Sequence, residues 1–191
     1  MRLFKERPFS DAAKIVLSNI EQSVASTPAS IITKDNLEAL ARVISKNHYI
    51  SPPELYFDKI SVETVMGKRS GKEYPDKADV DRNLRHDCAM VHYTIPINPR
   101  SNPKLLTIAP TTGSWTFEAE LVEQHNLRFT LKTFHATTDL PEQLKKELET
   151  KAFEVILGIK RCLNLLKGDC DKLNQTLEGY TLIKLKKHKA N

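Results

Sequence analysis

Cysteine is too scarce here to staple a fold. Cys88, Cys162 and Cys170 are an odd set with no close pair, so they read as reduced cytosolic thiols and not as a disulfide framework. Long apolar runs are missing too. The best, Ala152 to Ile159, is short and contains Glu154, well below the ~20 residues of a membrane span. The charged start, Met1 to Pro8, has no hydrophobic stretch behind it, so no secretory signal is expected. The scarcest feature is chemistry: no nucleophile, base, metal cluster or phosphate loop falls at a spacing that a reaction would demand. That shortage predicts no catalytic residues, no cofactor and no metal, and favours a binding module over an enzyme.

What is present describes one globular body. With 191 residues the chain is long enough to bury a core, and 40% apolar with 28% charged residues excludes a disordered chain. The net charge of +5 is concentrated at one end. Lys184 to Asn191 holds four lysines and no acid, and without it 25 basic residues face 24 acidic ones. The expected organisation is therefore a single α+β domain over residues 1–183 and a basic tail over 184–191. Such a tail supports salt-sensitive attraction to polyanions or simply keeps the C-terminus soluble.

The hydrophobic period places the elements. Ser10 is read as the N-cap of a helix from Asp11 to about Ala25, with Ala13, Val16, Leu17, Ile20 and Val24 on its stripe. Thr33 or Asp35 caps a second helix carrying Leu37, Leu40, Ala41 and Ile44, which ends near Asn47 ahead of Pro52 and Pro53. From Tyr56 the period becomes two, with Ile60 and Val62 on one strand face. Residues 67–87 read as a polar, structureless and mobile connection. Strands follow with Val91, Tyr93, Ile95 and Ile97, and then around Leu105 to Ile108. A hairpin comes next, in which Trp115, Phe117, Ala119 and Leu121 precede a turn at Gln124 to Asn126 and Leu127, Phe129 and Leu131 follow it. A long helix starts near Asp139 and Pro141, with Leu144, Leu148, Ala152, Ile156, Ile159, Leu163 and Leu166 on one stripe. Gly168 ends or kinks it, and Leu173, Leu177 and Tyr180 carry a second segment. The fold expected is α+β: an antiparallel β-meander of about four to five strands packed on a long C-terminal amphipathic helix, with two N-terminal helices.

Several constellations imitate chemistry and fall short of it. Gly67-Lys68-Arg69-Ser70-Gly71-Lys72-Glu73 is one residue short of a Walker loop, and Glu73 stands where a hydroxyl should reach magnesium. Glu149 and Lys151 imitate a nuclease E-x-K element, but on a helix residues two apart diverge. Asp76, Asp79, Asp81, His86 and Asp87 are oxygen- and nitrogen-rich, yet Lys68, Arg69, Lys72, Lys77, Arg82 and Arg85 interleave with them. Cys88 and His92 supply two metal ligands at most, where a structural zinc site needs four. Trp115, Phe117 and Phe129 suit base stacking, but their alternation with Glu118 and Glu120 puts them on the face the long helix should cover.

Four runs carry a resemblance: Arg7-Pro-Phe-Ser-Asp-Ala-Ala13, Ile50-Ser-Pro-Pro-Glu-Leu55, His92-Tyr-Thr-Ile-Pro-Ile97 and Asp171-Lys-Leu-Asn-Gln-Thr-Leu177. They are similar to landmarks of an uncharacterised bacterial family whose members resemble the N-terminal module of restriction-endonuclease-like, phage-defence-type proteins. The resemblance implies a recognition or regulatory half, here without the nuclease domain, working with a separately encoded effector in mobile-element or phage defence.

Together these readings predict a cytoplasmic, non-enzymatic module that recognises a protein partner or assembles with itself and does not engage a membrane. The alternative is a nucleic-acid-binding module using the 67–87 loop and the tail. Arg82, Arg85, Lys184, Lys186, Lys187 and Lys189 are the residues expected to touch a polyanion or a partner. A second alternative is a hydrolase using the Asp76 to Asp87 loop and a metal.

Overall fold

A computed structural model describes residues 2–76, 78–113, 117–123 and 125–190. Its helices are α1 (Phe9–Ala25), α2 (Leu37–Asn47) and α3 (Glu142–Ala190). Its strands are β1 (Arg2–Leu3), β2 (Arg7–Pro8), β3 (Ser61–Ser70), β4 (Arg85–Pro96), β5 (Ile108–Ala109), β6 (Phe117–Glu118), β7 (Glu120–Val122) and β8 (Asn126–Lys132). The fold is α+β, as its two periodicities predict. Where the sequence reading has one domain and a tail, the chain divides into two compact units. A sheet unit comprises Glu54–Pro103 and Phe117–Lys160; a helical unit comprises Arg2–Pro53, Lys104–Thr116 and Arg161–Asn191.

The sheet unit is built on an antiparallel sheet with strand order β3-β4-β8-β7. Two hairpins, β3–β4 and β7–β8, join through β4 and β8. The register sets Val91, Tyr93 and Ile95 opposite Leu131, Phe129 and Leu127, so one face gathers the apolar residues, as period-two alternation requires. Tyr93 and Phe129 stack with ring centroids 5.0 Å apart. On α3, Leu148 and Ala152 are buried while Ile156 is only half-buried, and Phe153 and Leu157 are exposed. The stripe expected through Ile156 is thus narrower than its sequence. Burial raises the Tyr93 phenol pKa, and the carboxylate of Glu149 on α3 adds to the rise.

The 67–87 connection departs most from expectation. β3 runs on through Ser70, a 3-10 turn occupies Gly71–Glu73, and β4 begins at Arg85. Low apolar content argued for a loose loop. Polar pairing orders it instead: Ser70 registers with Arg85, Lys68 pairs with Asp87 at 3.0 Å, and Ser70 and Glu73 form a capping box.

In the helical unit, Val16, Ile20 and Val24 of α1, Ala41 and Ile44 of α2, Ile32, and Leu177 and Leu185 of α3 form one buried cluster. The Asn174 side chain accepts from the Ile50 N–H at 3.1 Å and donates to the Ile50 carbonyl at 2.8 Å. Three local expectations change here. α1 starts at Phe9 with Pro8 at its N-cap, where a φ of -69 already suits a helix start, so Ser10 lies inside. Ala12, and not Ala13, is the buried alanine of α1. Around Leu105, a 3-10 turn (Pro103–Thr107) leaves only the two-residue β5, which pairs with β2 in parallel. Trp115 lies outside the described residues.

α3 continues through Gly168 without a break. One glycine costs a helix about 1 kcal/mol, whereas Leu166, Cys170 and Leu177 are all buried across it. A Cβ at Gly168 or Gly179 would meet nothing within 4 Å; one at Gly158 would overlap the Phe117 ring. Gly168→Ala and Gly179→Ala are each expected to stabilise the protein by about 1 kcal/mol, and Gly158→Ala should forfeit that gain. Thermal denaturation of the three variants checks this order, and equal gains would remove the Phe117 contact.

Candidate interaction surfaces

The hairpin end of the sheet unit is held from inside. Arg82 donates to the Tyr74 carbonyl (2.9 Å), the Pro75 carbonyl (3.1 Å) and the Asp76 carboxylate (3.0 Å). Its guanidinium is therefore a clamp on the turn, in contrast to the free contact expected of it. Arg69, with a side chain only 17% exposed, lies 4.0 Å from the Phe134 ring centroid and 3.3 Å from Glu73. Its Nη1 donates to the Lys132 and Thr133 carbonyls at 3.2 and 3.3 Å. This geometry ties β3 to the end of β8. Tyr74 packs between His86 (centroids 5.5 Å) and Phe134 (5.0 Å). Arg85 is exposed at the start of β4.

The acid-rich stretch is likewise occupied. Asp87 pairs with Lys68, Asp76 with Arg82, and Asp81 accepts from the Asn83 N–H at 2.8 Å. His86 Nε2 lies 2.7 Å from the Asp81 carbonyl. Among the described residues, no three His, Cys, Asp or Glu side chains gather to hold a metal. Cys88 is buried, and His92 Nδ1 lies 2.7 Å from the Thr130 hydroxyl. Burial pushes the Cys162 and Cys170 thiols up to about 11, which keeps them protonated and unreactive near neutrality.

In the helical unit, the lysines expected on a tail sit on the last turns of α3. Leu185 among them is fully buried, and the His188 ring donates to the Thr27 carbonyl at 3.0 Å. Lys184 pairs with Glu21, whose carboxylate also accepts from the Tyr180 hydroxyl at 2.6 Å. These two hydrogen bonds, Lys184 first, hold the Glu21 pKa below its ordinary value, and the Glu21 bond raises that of Lys184. Lys186, Lys187 and Lys189 remain exposed.

Two features escape the sequence reading. Ser23 Oγ and His48 Nε2 are 2.8 Å apart, although 25 residues separate them. No carboxylate is bonded to His48 among the described residues, so the third, orienting member of a catalytic triad is missing, and the pair joins α1 to α2. The second feature is the β3 edge. Val62 (58% exposed) and Met66 (46%) lie on the face that β4 and β8 bury, yet both keep about half of their surface open. The alternation that marks this strand was legible, but its place at the sheet edge was not. Phe153 (60%) and Leu157 (47%) of α3 are also open. With protein-family models, curated proteins and solved structures alike, the chain shows no match.

Proposed function

We propose that this chain is a non-enzymatic binding module whose ligand is another protein surface, either a partner or a second copy of itself. One observation carries the reading: in the sheet unit Asp76, Asp87, Lys68 and Arg82 are engaged with one another or with the backbone, while Val62, Met66, Phe153 and Leu157 stand open. Exposed apolar groups of this size favour protein contact over a charged ligand. The resemblance in the four sequence runs supplies the setting of the proposal, a cytoplasmic bacterial module in mobile-element or phage defence.

The exposed Lys186, Lys187 and Lys189 support the second reading, nucleic-acid binding, and one experiment ranks the two. Fluorescence anisotropy with labelled duplex and single strands should show at most weak binding that falls steeply with salt. Replacing Lys186, Lys187 and Lys189 by glutamine should abolish that binding, with the melting temperature nearly unchanged, because exposed charges alter stability by under ~0.5 kcal/mol. Full-strength, sequence-selective binding by the triple variant would place recognition in the folded body and overturn the protein-binding reading.

A further inference from the structure

We draw no further inference here: the strongest candidate, the ten-residue β3 edge of the four-stranded sheet with the half-open Val62 and Met66 on it, carries nothing because no feature of the structure shows what covers it.

Discussion

Leu177→Ala is expected to lower stability by roughly 2–5 kcal/mol, the usual cost of truncating a large core side chain. Leu177 has no exposed surface and belongs to the cluster of α1, α2 and α3 side chains in the helical unit. Beside it the Thr181 hydroxyl, also buried, returns a hydrogen bond to the Leu177 carbonyl at 2.7 Å. That backbone is therefore pinned and poorly able to collapse into the cavity. Typical domains are stable by only 5–15 kcal/mol, so the variant should lose a large share of its margin. Ile183→Ala, at an exposed position on the same helix, is the control and should stay within about 0.5 kcal/mol. Urea unfolding measures both. Equal midpoints for the two variants would take α3 out of the helical core.

Gly71→Ala should be the most damaging single-atom change in the sheet unit, at about 1–3 kcal/mol for overpacking. A Cβ there would overlap the Asp81 carbonyl oxygen and lie 2.9 Å from the Arg82 Cα. Both obstacles are backbone, so no side-chain rotation relieves them. Retreat would strain the Gly71 N–H bond to the Leu84 carbonyl (2.8 Å) and the three Arg82 bonds that close the turn. Trypsin reads the same event in the native state. Wild type should resist cleavage at Arg82, and the variant should be cut there faster. An unchanged melting temperature together with unchanged cleavage would mean that the turn yields freely and that Arg82 does not hold it.

Resistance at this turn reverses what its composition suggests, and the reason is instructive. Apolar periodicity reports burial, and burial located α1, α2, the β4 and β8 faces and α3 correctly because each hides a stripe from water. The hairpin end is stabilised by the cross-strand Lys68–Asp87 ion pair and by Arg69 and Arg82 bonded to carbonyls. Polar residues engaged in this way look the same in a sequence as polar residues facing solvent. The same blindness made Arg82 and Lys184 resemble free cations, when one clamps a turn and the other meets Glu21 from 163 residues away. Gly168 misled in the opposite direction. A local propensity of about 1 kcal/mol is outweighed by the buried stripe on both sides of it.

The sequence by itself determined the α+β class, the two N-terminal helices, the paired faces of the central strands and the long C-terminal helix, because periods of two and 3.6 follow from backbone geometry alone. Only the tertiary structure decided that β3 stands at an edge, that its Val62 and Met66 keep about half of their surface open, and that the charges beside it are already paired. Those properties depend on which strands are neighbours, and strand order is set by packing between distant segments, which no local pattern encodes.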